Sequence, residues 1–187
     1  VTSFNKMFAF SGIKNLNLSS LDWSKVTDAG GMFFNAKSLE TLNLTGIDTS
    51  SLQYMNEMFQ GTKALKNFNP ADLNVSNVIN MMAAFRETGG ATSYDFSSWD
   101  VSKVIDFSNM FGSTPDLKSL NLTGWDVSSG TNFAYMFQRM PKMEELDVSS
   151  FHPVKATNTE IVSIELPRDT KGGAGHGSLI IFGGEDV

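Results

Sequence analysis

Apolar residues recur along this chain at intervals of 26. Leu16, Leu42, Phe68, Tyr94, Leu120 and Leu146 form one column, and Leu18, Leu44, Pro70, Phe96, Leu122 and Val148 another, two residues on. Ile13, Leu39, Leu65, Ala91, Leu117 and Met143 precede them, and Leu21, Ile47, Leu73, Trp99, Trp125 and Phe151 follow. A second half-motif runs in step: Phe33, Phe59, Phe85, Phe111 and Phe137 keep the same interval, with Met32, Met58, Met110 and Met136 just before them and Ala84 as the exception. So many columns in one register define an internal repeat.

The two halves of the repeat predict different elements. Alternation about Asn43 in Leu39-x-x-Leu42-Asn43-Leu44 predicts a short strand, and stacked copies predict a parallel sheet. Leu52, Met55, Met58 and Phe59 stand at offsets 0, 3, 6 and 7, the spacing of one helical face. Ser50, Ser76 and Ser102 fall where N-caps of such helices would lie. Asp48, Asp100 and Asp126, two residues earlier, suit Asx-turns between the layers. A lone repeat offers about nine apolar positions, each contributing roughly 1.5–3 kcal/mol when buried, against about 1–2 kcal/mol of backbone entropy per ordered residue. Only stacking, which buries both neighbouring faces, lets such a unit fold. The expectation is an α/β solenoid, with a parallel sheet on one face and short helices on the other.

The strings Met58-Phe59, Leu65, Trp99-Asp100 and Ser102-x-Val104 carry a family resemblance. At this spacing the unit resembles the BspA-like leucine-rich repeat of bacterial surface proteins, over about residues 4–153. Phe68 fills a column where that pattern has Leu, and its small Cys is replaced by Ala36, Thr62, Thr88 and Thr114. The resemblance implies a leucine-rich-repeat-like right-handed superhelix of about six repeats and a secreted or surface-anchored protein. It also implies adhesion to host or neighbouring-cell ligands, and no enzymatic activity.

The array is predicted to span 1–153 and to be least regular in its middle. Pro70 cannot donate to a sheet ladder, Asn74 replaces the turn Asp, and Gly89-Gly90-Ala91 stands where a strand should begin. Gly130 replaces the Val104 of the preceding copy and predicts a thin spot in the helical layer. Residues 154–187 break the pattern. Two strand-like runs, 160–166 and 179–182, predict a β-rich cap or the start of a further domain. A first residue of Val, without Met or a leader pattern, reads as a mature or trimmed fragment of a longer precursor.

Composition narrows the function. The net charge is −6, a poor match for phosphate backbones, so nucleic acid is not an expected partner. No apolar run is long enough to insert in a membrane. With no cysteine and only His152 and His176, the chain shows no triad and no thiolate or Cys–zinc site, and no cofactor or metal is expected. The stronger candidate is the outward column Asn17, Asn43, Asn69, Asp95, Asn121 and Asp147. It is flanked by Thr41, Asn67, Ser93 and Ser119 on one side and by Thr45, Ser97 and Thr123 on the other. Amides and hydroxyls at sheet spacing can hydrogen-bond a glycan or an extended peptide, or simply one another. The expected function is a non-enzymatic adhesion module at the cell surface, binding a protein or glycan ligand. A structural spacer or assembly component is the alternative, and an ice-binding surface ranks below both.

Overall fold

The computed structural model describes residues 1–148 and 150–158. Five short strands form: β1 (Asn15–Asn17), β2 (Thr41–Asn43), β3 (Ser93–Asp95), β4 (Ser119–Asn121) and β5 (Glu145–Leu146). All their pairings are parallel and join residues 26 apart, such as Leu16 with Leu42, Tyr94 with Leu120 and Leu120 with Leu146. The sequence period is therefore the advance from one coil of chain to the next. The predicted cap at 154–187 lies largely outside the described residues, as do both of its strand-like runs.

The predicted α/β solenoid is corrected in two respects. Among the described residues there is no α-helix; the one helical element is a 3-10 turn at Pro70–Asp72. Nor is the sheet continuous, because β1 and β2 form one piece and β3, β4 and β5 another. A leucine-rich-repeat-like superhelix, with short helices backing an unbroken sheet, is not the architecture of this chain. Ser50, Ser76 and Ser102 accordingly cap no helix.

Where helices were expected, the Met-Phe segment is a ladder of tight turns. In the coil around Met58, every second N–H reaches the next coil: Met55 to Asn80 O (3.1 Å), Glu57 to Met82 O (2.8 Å), Phe59 to Ala84 O (2.9 Å) and Gly61 to Arg86 O (2.9 Å). The alternate N–H groups turn back three residues: Met58 to Met55 O (3.2 Å), Gln60 to Glu57 O (3.1 Å) and Thr62 to Phe59 O (3.2 Å). An α-helix would bond i to i−4 and leave nothing for a neighbouring coil. Two positions per coil take left-handed φ to make this possible: Lys6, Gly31, Glu57, Ala83, Asn109 and Tyr135, then Phe10, Asn35, Gly61, Glu87, Ser113 and Arg139. The same edge carries single parallel bridges from Ser3 through Asp28, Tyr54, Asn80, Asp106 and Asn132 to Asn158.

The core lies between the strand edge and the turn ladder. Phe33, Phe59, Phe85, Phe111 and Phe137 stack from coil to coil, with centroids 5.5, 5.0, 5.9 and 5.9 Å apart. Thr62, Thr88 and Thr114 are buried in the small column, and each hydroxyl donates to the carbonyl three residues back, at 2.7, 2.9 and 3.0 Å. No thin spot exists at Gly130. A Cβ there would strike the Phe133 ring, which stacks on Phe107 at 5.2 Å and occupies the space a Val would need. Trp99 and Trp125 donate through Nε1 to Pro70 O (2.8 Å), in the 3-10 turn, and to Phe96 O (3.0 Å), just after β3. Sequence reasoning missed one buried column, Trp23, Thr49, Val75, Val101 and Val127, at the corner after the Asx-turns.

The sheet breaks at the third copy. Asn67 keeps only an isolated bridge to Thr41. Pro70 then starts the 3-10 turn, with Asn69 accepting from the Ala71 N–H at 3.2 Å. Irregularity was expected in this stretch, and proline's missing donor supplies the cause.

Candidate ligand-binding face

Each three-residue strand turns its middle side chain inward and its two ends outward, as strand alternation demands. Leu42, Tyr94 and Leu120 are buried; Thr41 and Asn43, Ser93 and Asp95, Ser119 and Asn121 flank them on the outer surface. Tyr94 puts a phenol into this apolar column, where its hydroxyl is buried without a hydrogen-bond partner. Burial pushes its pKa well above the ordinary tyrosine value.

The outward amides are anchored from behind. Asn17, Asn43, Asp95 and Asn121 each accept, through Oδ1, the N–H two residues on, at Ser19 (3.0 Å), Thr45 (2.9 Å), Ser97 (2.9 Å) and Thr123 (3.1 Å). The strands β1 to β4 thus each end in an Asx-turn, and Thr45, Ser97 and Thr123 stand exposed at the turn rather than on the strand itself. Bonds from the Ser97 hydroxyl and then its N–H hold Asp95 below the ordinary carboxylate range, helped by the Asn121 side chain. Asn67 Nδ2 donates to Thr41 Oγ1 at 3.2 Å, a bond between neighbours in one predicted column.

The structure gathers part of the predicted site and disperses the rest. Ser93, Asp95, Ser119, Asn121 and Asp147 line one shallow groove of about 400 Å³ along β3 and β4. Asn17, Thr41 and Asn43 lie on the other sheet, with Thr45 at the turn that follows it, and Asn67 and Asn69 lie at the break between the two. A second concavity of about 610 Å³, missed by sequence reasoning, opens beside the 3-10 turn, with Asp48, Asp72 and Asp100 on its wall. It lies where Pro70 starts the 3-10 turn in place of a strand, and Ala71, Asp72 and Leu73 line it, a geometry no column pattern signals. Asp48 and Asp100 are committed to Asx-turns, accepting from the Ser50 and Ser102 N–H groups at 3.0 Å each. Among the described residues, no group of three or more side chains could hold a metal ion, and no helix is long and apolar enough to cross a membrane. His152 is exposed, with Nδ1 3.0 Å from Ser150 O.

This repeat, with its Met-Phe and Trp-Asp strings, matches one family over residues 1–93 and again over 81–163, the family described as Mycoplasma protein of unknown function, DUF285. The chain belongs to the DUF285 family. A short stretch is similar to a different kind of protein. It is 91% identical over 34 residues to the bacterial microcompartment shell protein PduB of Citrobacter freundii and of Salmonella typhimurium. Against PduB of Limosilactobacillus reuteri it is 67% identical over 33 residues. That stretch is 18% of this chain, and the chain spans only 13% of the length of the first two relatives. No solved structure matches this DUF285 chain.

Proposed function

We propose that this DUF285 chain is a non-enzymatic interaction module of the cell surface or secreted space, holding a protein or glycan ligand against the outer face of its strands. One observation carries the reading: five of the predicted polar residues converge on a single groove along β3 and β4. Anchored side chains lose little rotamer freedom on binding, so hydrogen bonds made there are offset by less entropy. The Asn121 amide and the serine hydroxyls offer donors, while Asp95, Asp147 and the same hydroxyls offer acceptors, which suits a polyhydroxylated or peptide ligand. The resemblance to BspA-like surface proteins supports the location. The test is binding of the purified chain to immobilised matrix proteins, mucin and glycans, beside a Ser93→Arg, Ser119→Arg variant. Among the described residues neither serine side chain makes a hydrogen bond, so saturable binding lost only in the variant supports the groove. Binding retained by the variant removes it.

A second reading, a component of a larger assembly, is favoured by the stretch similar to a microcompartment shell protein. Co-sedimentation of the purified chain with PduB shell protein tests it, and a chain left wholly in the supernatant eliminates that partner.

A further inference from the structure

The groove along β3 and β4 has two unlike banks. Strand alternation puts Ser93 and Ser119 on one side and Asp95, Asn121 and Asp147 on the other. The floor between them is at Tyr94 and Leu120, whose side chains are buried. Residues two apart on a strand stand roughly 6.6 Å from each other, so the trough admits one extended chain, whose own spacing in a sheet is ~4.8 Å. The same ~4.8 Å between neighbouring strands places Asp95 and Asp147, two coils apart, roughly 10 Å from each other. One bank is thus neutral and short, and the other is anionic at both ends.

The fold does not require that charge. Asn17, Asn43 and Asn121 close with an amide the same Asx-turn that Asp95 closes with a carboxylate. The corresponding bank of the first sheet, Asn17 and Asn43, is neutral. Bonds from Ser97 and then Asn121 favour the ionised form of Asp95, and among the described residues no lysine or arginine lines the groove. Nor does the groove expose an aromatic ring, since the ring of Tyr94 is buried. A sugar finds no flat apolar platform here, whereas an extended peptide finds hydrogen-bonding groups along both banks.

We infer that the occupant of this groove is an extended peptide lying across the strands, with basic side chains toward the Asp95 and Asp147 bank and small polar ones toward the serines. The inference rests on the groove being the ligand site. Side chains of an extended peptide alternate, and those on one side repeat every ~6.6 Å. The flexible four-carbon stem of lysine takes up the difference between that repeat and the spacing of the two carboxylates.

Fluorescence anisotropy of the full chain tests this with a labelled decapeptide alternating serine and lysine. The controls are the same ten residues arranged in two blocks of five, and a decapeptide alternating serine and glutamate. Asp95→Asn with Asp147→Asn removes the charge and keeps the amide that other coils use. Ser119→Trp fills the trough without changing its charge. The alternating lysine peptide should bind saturably, at least about fivefold more weakly to the Asp95→Asn, Asp147→Asn variant. The block peptide should bind more weakly than the alternating one, the glutamate peptide should not bind, and Ser119→Trp should abolish binding. No binding of the lysine peptide at about 1 mM, equal binding of the glutamate peptide, or an affinity that the Asp95→Asn, Asp147→Asn variant leaves unchanged would overturn the inference. The two readings fail separately. If Ser119→Trp abolishes capture of a matrix protein or glycan while the lysine peptide is not held, the groove stands and the basic peptide is excluded. If Ser119→Trp changes nothing, the groove itself is excluded.

Discussion

Glu57 and Gly61 stand four residues apart at the two left-handed positions of one coil, with φ of 58° and 74°. A side chain in that region costs roughly 1–2 kcal/mol through the clash of Cβ with the following carbonyl. Glycine avoids the clash but gives up about 0.5–1 kcal/mol of unfolded-chain entropy. Glu57→Gly should therefore stabilise the chain by up to about 1 kcal/mol, or roughly 2–4 °C in Tm for a domain of this size. Gly61→Ala should do the reverse and more, because its Cβ would press on Asn35 Oδ1 as well as accept the strained φ. Calorimetry of the two variants checks both signs; a Glu57→Gly protein less stable than its parent refutes the strain argument. The same positions explain why the turn ladder was illegible. Gly31, Asn35, Gly61 and Asn109 carry the left-handed signature, but Lys6, Ala83, Tyr135 and Arg139 at equivalent positions conceal it.

At the scale of the element, the Asx-turn is the recurring device of this fold. It ends the strands at Asn17, Asn43, Asp95 and Asn121 and turns the next corner at Asp22, Asp48, Asn74, Asp100 and Asp126. At the corners, the Ser hydroxyl and then the Ser N–H two residues on hold Asp22, Asp48, Asp100 and Asp126 below the ordinary value of 3.8. A depressed folded pKa means the ionised form is favoured by folding. The contribution is complete above the unfolded value and is lost as pH falls through the lower folded ones. Asn74 makes the same turn with a group that does not titrate, its Oδ1 accepting from the Ser76 N–H at 3.1 Å and hydroxyl at 2.8 Å. Replacing Asp48, Asp100 and Asp126 by Asn should leave neutral-pH stability nearly unchanged and flatten the loss below about pH 4. Thermal melts at descending pH measure this, and parallel losses in parent and variant would exclude the corners as the acid-sensitive element. These corners were legible because Asp-x-Ser is a local motif whose hydrogen bond depends on three residues only. The helices were misread because tandem i to i−3 turns give apolar spacings of 3 and 4, and only the destination of the alternate N–H groups separates them from an α-helix.

Across the whole molecule, contact between coils depends on the 26-residue register rather than on any one residue. The apolar columns, and hence the core, were legible for that reason; the groove along β3 and β4 was legible only as columns, because the break that separates it from β1 and β2 depends on the local 3-10 turn that Pro70 starts in one coil. A stack held by nearest-neighbour contacts should tolerate loss of a whole unit. Deleting residues 49–74 joins Asp48 to Val75, reproducing the local order of an ordinary corner, and removes Pro70 with the 3-10 turn. Leu44 O then takes the place of Pro70 O as acceptor for Trp99 Nε1, and Asn43 comes beside Asp95 with no proline between them. The shortened chain should stay folded, melt in one transition at a lower temperature, and keep a far-ultraviolet dichroism spectrum without an α-helical signature. Deleting 49–61 instead removes fewer residues but puts the strand edge of one coil against the turn ladder of the next. That variant should fail to fold, and if it melts as cooperatively as the first, register is not what holds the stack together.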